Sequence, residues 1–358
     1  MATSPFLPDP GLPLPRVLIV DDSVVARTVI ARVIETSGRF VVAGLAGSAL
    51  AAMQFLTREQ VDFILLDLAM PGMDGLSALP ELIGLGGKAR IVIVSSSTHD
   101  GAAETVRALA LGAADTIAKP EAGAMTGRFA QALLARLSRL MDGRAPELPP
   151  IRRANLPAQA PVAADGTAFD MVAIGASTGG IHALGAMLQN LPAAFVRPIL
   201  ITQHLPPAFV PYFAAQLAAI AGRPCDVAEE RMRLRPGRIV IAPGNAHARC
   251  VALPDGGAAI RLTDERVPSG CLPSVDPMLA SAAMVYGPRV LAVILSGMGR
   301  DGAEGARLVR EAGGSVVVQD QASSTVWGMP GAVVVAGLAD AIMPPAAIGR
   351  LMISGRRA

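Results

Sequence analysis

Aromatic side chains are scarce in this 358-residue chain: Phe, Trp and Tyr together make up 3% of it, with one tryptophan. Its 52% hydrophobic content is carried instead by Ala, Val, Leu and Ile. That is the composition of α/β proteins, whose parallel strands are buried on both faces and read as apolar runs. Cysteine is scarce too. Cys225, Cys250 and Cys271 have neither CxxC spacing nor an even count, which argues against a disulfide framework or a zinc site and fits a reducing cytoplasm. There is no excess of one charge: the net charge is +2, with both signs interspersed, and nucleic-acid binding normally needs a clustered basic excess. No uncharged apolar run approaches the roughly 20 residues of a membrane span. The opening MATSPFLPDPGLPLP lacks the basic start and unbroken apolar core of a signal peptide. Residues 1–15 therefore read as a disordered, Pro-rich leader, and the chain as a soluble cytoplasmic protein without membrane insertion or a nucleic-acid partner.

What is present is a repeated alternation of short apolar runs and helix-period segments, on a chain long enough for two domains. From Arg16 to Met141 the runs are RVLIV, RFVVAG, DFILL, RIVIVS and DTIA. Five strand–helix pairs with short connections imply a parallel sheet covered on both faces. Residues 142–168, rich in Pro, Ala and Arg and without periodicity, read as a linker. From Phe169 to about residue 354 the pattern resumes in MVAIGA, RPILITQ, RIVIAPG, RVLAVILSG and SVVVQ, closing near AVVVAG. The expected fold is two doubly wound α/β domains, the first flavodoxin-like and the second Rossmann-like.

In an open parallel sheet the carboxyl ends of the strands share one rim, where ligands bind. In the first domain Asp21 and Asp22 follow the first strand, Asp67 the third, Ser95 ends the fourth and Lys119 follows the fifth. Any one Asp at a strand end has a plainer reading as a turn or cap residue. Three carboxylates on one rim, however, repel one another unless a hard cation lies among them, and oxygen-only ligation suits Mg²⁺. Residues 16–141 resemble a response-regulator receiver domain, on the pieces VDDS, DLAMPGMDG, Ser95 and KP at 119–120. The resemblance implies that Asp67 accepts a phosphoryl group from a histidine kinase. It further implies Mg²⁺ bound by Asp21, Asp22, Asp67 and the Ala69 carbonyl, with Ser95 and Lys119 as the switch pair. Two positions depart from the pattern: Ala69 stands where a polar side chain is common, and Thr116 where an aromatic switch residue is usual.

In the second domain MVAIGASTGG runs from a buried strand into a helix, placing Ser177 in a glycine-rich turn. No GK[ST] follows, so this is not a Walker loop, and GxSxG is absent. Of the four histidines, His99 lies in the first domain and His182 and His247 fall in a helix and a loop. Only His204 directly follows a strand, and Asp301 follows RVLAVILSGMGR. Each could be a cap or packing residue, but serine, histidine and aspartate on three strand ends form a nucleophile, base and orienting acid. The amides of Met298 and Thr178, in glycine-rich turns, are candidate oxyanion donors.

Residues 169–349 resemble the catalytic domain of the CheB family, the chemotaxis protein-glutamate methylesterases. The motifs are IGASTGG, TQHLPPAF, IAPGNAH, PSVDPML, LSGMGRDG and VWGMPGA. The resemblance implies a serine esterase acting on glutamyl γ-methyl esters of methyl-accepting chemoreceptors, also deamidating receptor glutamines, with Ser177, His204 and Asp301 catalytic and no cofactor for the ester reaction. Cys271 and Leu272 replace a usual basic pair before PSVD. No helix-turn-helix pattern or basic recognition helix points to a transcriptional regulator.

Overall fold

The computed structural model describes residues 13–95, 99–119, 127–142 and 169–355. The leader up to residue 12, Pro120 and linker residues 143–168 lie outside the described residues. The chain divides into two compact units, Met1–Met141 and Asp142–Ala358, each treated by itself below.

The first unit has strands β1 (Arg16–Val20), β2 (Val41–Ala46), β3 (Phe63–Leu66), β4 (Arg90–Ser95) and β5 (Asp115–Ala118). They alternate with helices α1 (Val24–Thr36), α2 (Ala49–Leu56), α3 (Gly75–Gly86), α4 (His99–Leu111) and α5 (Gly127–Asp142). The sheet order is β2-β1-β3-β4-β5, all pairs parallel, as the apolar runs predict. FILL of β3 is buried on both faces, because helices cover both sides of a parallel sheet. The order reverses between β1 and β3, which opens a crevice at their carboxyl ends. Asp21 and Asp67 stand there.

The second unit carries β6 (Met171–Ala176), α6 (Gly180–Leu188), β7 (Ile199–Gln203), α7 (Val210–Ala221), β8 (Cys225–Val227) and β9 (Ile239–Ile241). There follow β10 (His247–Ala252), β11 (Ala258–Thr263), α8 (Val275–Tyr286), β12 (Val290–Ile294), α9 (Ala303–Glu311), β13 (Ser315–Gln319), α10 (Gly328–Val335), β14 (Ala341–Met343) and α11 (Pro345–Ser354). Seven strands form one sheet in the order β14-β13-β12-β6-β7-β9-β8, again parallel, with β10 and β11 as a separate antiparallel hairpin. Here the direction of winding reverses between β6 and β12. The residues after those two strands, Ser177 and the loop to Asp301, flank that point.

Three expectations need correction. AVVVAG is not the closing strand; Ala332–Val335 belong to α10, and the last strand is β14. Burial of Met329, Pro330, Gly331 and Val333, with Met329 and Val333 packed into the core, outweighs the β-preference of the valines. The β10–β11 hairpin departs from simple strand–helix alternation. His247 is the first residue of β10, not a loop residue.

Candidate functional site

The triad positions are built by strand register. Ala176 pairs with Gln203 across β6 and β7, so the next residues, Ser177 and His204, leave the sheet side by side; the His204 amide donates to the Ala176 carbonyl at 3.0 Å. Ser177 closes a tight turn, its carbonyl accepting the Gly180 amide at 2.8 Å and the Gln203 side-chain amide at 2.9 Å. Gly179 caps the following helix at φ 76°, a left-handed conformation that other residues rarely adopt. From the other side of the switch point, Gly297 brings the loop after β12 against the serine: a Cβ there would lie 2.8 Å from Ser177 Cβ and 2.3 Å from Met329 Sδ.

His204 Nε2 and Asp301 Oδ2 are 2.8 Å apart. Asp301 is buried and accepts from Ser274 Oγ (2.6 Å), the Val275 amide (2.8 Å) and, more weakly, the Asp276 amide (3.4 Å). It thereby takes up free N–H groups at the start of α8, where the helix end favours negative charge. Asp276 answers in kind, its Oδ1 accepting the Gly302 and Gly305 amides at the start of α9 (2.9 and 2.8 Å). Burial is the largest influence on Asp301 and would raise its carboxyl, but the bonds from His204, Ser274 and Val275 prevail and hold it well below the usual carboxylate range. Asp276 is pushed up to about 6 by burial and by the Asp301 charge. Burial would lower His204, yet Asp301 and the neighbouring Cys271 raise it to about 9.

Behind this pair lies a relay that sequence spacing does not reveal. The fully buried His247 donates from Nε2 to the Glu265 carbonyl (2.9 Å) and accepts the Ser274 amide at Nδ1 (2.9 Å). That fixes its tautomer and aims the Ser274 hydroxyl at Asp301. PSVD, with a serine at a helix start, was the available signal; His247 offered none. Cys271 also stands beside His204 and Asp301, one ligand atom of each lying within 4.8 Å of the others.

Among the described residues, no hydrogen bond joins Ser177 Oγ to His204, and neither the Met298 nor the Thr178 amide donates one. The Ser177 amide, by contrast, is committed to the Ser296 carbonyl (3.0 Å). Two uncommitted amides therefore flank a half-buried serine, as an oxyanion site requires. An unliganded serine site often has a loose nucleophile–base contact that tightens with substrate.

In the first unit Lys119 Nζ lies 2.6 Å from Asp67 Oδ2 and 2.8 Å from Asp21 Oδ2. One oxygen from each of Asp21, Asp22 and Asp67 lies within 4.8 Å of the others. Burial, with Asp21 adding to it, raises the Asp67 carboxyl above the usual value despite Lys119. Burial would lower the Lys119 ammonium, but its pairing with both carboxylates raises it. Ala69 meets Asp67 through its amide (3.3 Å). Ser95 is bonded instead to the buried Thr105, with the two hydroxyls 3.1 Å apart, and its carbonyl accepts the Lys119 amide at 2.7 Å.

A receiver-type acidic crevice and a serine–histidine–aspartate rim define a response regulator whose effector unit is a hydrolase. The chain belongs to the CheB methylesterase family, whose model matches residues 172–352, and a response regulator receiver domain matches residues 17–126. It is 41% identical to the protein-glutamate methylesterase/protein-glutamine glutaminase 2 of Caulobacter vibrioides, over 96% of this chain and 99% of that one. It is 37% identical to the corresponding protein 1 of Paramagnetospirillum magneticum, over 94% and 95%. The crystal structure of the Thermotoga maritima CheB methylesterase catalytic domain superposes with a TM-score of 0.51 at 36% identity, covering 52% of this chain and 98% of that one. No described helix is long and apolar enough to cross a membrane.

Proposed function

We propose that the chain hydrolyses glutamyl γ-methyl esters on chemoreceptors, releasing methanol, and that phosphorylation of Asp67 by a histidine kinase raises the rate. The observation that carries the esterase reading is the His204–Asp301 pair at 2.8 Å, on the rim where Ser177 and two uncommitted amides meet. In this reading Asp301 stabilises the imidazolium, and His204 takes the proton of Ser177 as its Oγ attacks the ester carbonyl. The Met298 and Thr178 amides receive the oxyanion. Methanol leaves with the proton from His204, and water then releases the glutamate by the same steps in reverse roles. A glutamine amide enters the same sequence with ammonia as leaving group, so deamidation is a second activity of the site. The consequence is adaptation in chemotaxis.

The receiver residues fit a hard divalent cation. Asp21 Oδ2 is buried, paired with Lys119 by charge but outside hydrogen-bond geometry, and three carboxylate oxygens converge, with no histidine or cysteine grouped with them among the described residues. Asp21, Asp22, Asp67 and the Ala69 carbonyl would hold Mg²⁺, which when bound neutralises charge on the entering phosphoryl group. In this reading Lys119 holds one phosphoryl oxygen, and the Ser95 hydroxyl donates to another after giving up Thr105. The test is methanol release from methylated receptor membranes with and without a small phosphodonor. Ser177→Ala is expected to abolish release; release at an undiminished rate in that variant would overturn the reading.

A further inference from the structure

We propose that His204, Cys271 and Asp301 form a site for a borderline-soft divalent metal of the zinc class, and that its occupancy shuts the hydrolase down. The metal site stands on its own geometry; the inhibition rests on the esterase reading above. Cysteine spacing argued against zinc because these ligands come from three separate loops.

An imidazole nitrogen, the Cys271 sulfur and an Asp301 oxygen all lie within 4.8 Å of one another. Zinc bonds of about 2.0 Å to N and O and 2.3 Å to S place the donors of a tetrahedron roughly 3.3–3.6 Å apart. His204 and Asp301 already stand at 2.8 Å, so binding requires an outward shift there, and the Cys271 thiol gives up its contact with the Ser269 carbonyl at 3.8 Å. The carboxylate is prepositioned by Ser274 Oγ and the Val275 amide, the outer support that metal-binding carboxylates usually have. The 17% exposure of the His204 side chain and the half-buried Cys271 leave an entry path, while three protein ligands leave the fourth position to water. On binding, the Cys271 thiol proton and the imidazole proton at the ligating nitrogen pass to solvent, and each ligand gives an electron pair to the metal. The imidazole is then no longer free to take the Ser177 proton.

The donor set is selective. Asp21, Asp22 and Asp67 offer only oxygen and suit a hard ion, whereas sulfur, nitrogen and oxygen together favour zinc or cobalt over magnesium. Burial pushes the thiols of Cys225 and Cys250 up to about 12, and among the described residues Cys271 is the cysteine that lies with a histidine and a carboxylate.

The test uses the full chain in excess Mg²⁺, titrated with Co²⁺ as a spectroscopic probe and then with Zn²⁺. A sulfur-to-cobalt charge-transfer band should appear with about one equivalent in the parent and in Ser177→Ala. The same band should vanish in Cys271→Ser, weaken at least tenfold in affinity in His204→Ala, persist in Cys250→Ala, and be displaced by Zn²⁺. Stoichiometric Zn²⁺ should then cut parental methanol release at least tenfold, with that ratio near one in Cys271→Ser. No band in the parent, or an unchanged band in Cys271→Ser, overturns the proposal whatever the esterase assay gives. A normal band in a parent that releases no methanol leaves the metal site standing and removes the esterase reading.

Discussion

Asp67 and Asp301 occupy equivalent places, each on the rim of a parallel sheet beside its winding switch point and each nearly fully buried, yet their surroundings differ. Asp301 is gripped by a hydroxyl, two amides and an imidazole, and its charge is held well below the usual carboxylate range. Asp67 has one long amide bond and one flexible ammonium, and burial with the Asp21 charge raises it. Two carboxylates in like positions thus differ in the number of fixed donors around them, and the proposed roles divide along that difference. A carboxylate with every lone pair engaged is an anchor for another group. One held by a movable cation keeps an oxygen available to become an acyl phosphate.

The largest break in this symmetry should come from Ser177→Ala, expected to lower the rate of methanol release by on the order of 10⁶. Phosphoryl uptake by Asp67, measured on the same sample, should be unaffected. Next, Asp301→Asn should cost about 10⁴ in rate and, by turning its amide N–H toward either the Ser274 donor at one oxygen position or the Val275 donor at the other, about 3 kcal/mol in stability. Asp67→Asn should abolish phosphorylation with little change in thermal midpoint, because few fixed donors are stranded. Comparing the two melting curves checks the anchor-versus-reagent distinction directly.

A smaller effect concerns pH. A general base acts only when neutral, and His204 raised to about 9 is mostly protonated at neutral pH. The rate in the presence of a chelator should therefore climb about tenfold per pH unit from 7 and level off above about 9; a profile already flat at 7 would show that the imidazole is not so raised. Smallest of all, Ser274→Ala removes one bond to the anchor, about 1.5–3 kcal/mol for a bond to a charged group, and should lower kcat about tenfold or somewhat more with KM nearly unchanged.

Much of this architecture was legible from apolar runs, because buried parallel strands such as FILL and MVAIGA admit little else. Strand ends then located Asp21, Asp67, Lys119, Ser177 and His204, since each follows its run directly. Asp301 was legible less directly: β12 ends at Ile294 and a loop carries the chain on to the aspartate. What stayed hidden depends on contacts between distant segments. Val333 of α10 reads as part of a strand until its burial beside Met329 in the core is known, while Val335 is exposed. His247 reaches Asp301 only through Ser274, 27 residues on, and nothing in its own neighbourhood announces that role. Cys271 has no partner in sequence spacing and gains one only when its loop meets His204.

A phosphoryl group on Asp67 is expected to control the chemistry at Ser177. Methanol release from methylated receptor membranes, with and without a small phosphodonor, tests it on the parent and on Asp67→Ala. The phosphodonor should accelerate the parent and leave Asp67→Ala at its basal rate, with Ser177→Ala silent under both conditions. Equal rates for the parent with and without the phosphodonor, while Asp67 is shown to be phosphorylated, would contradict it.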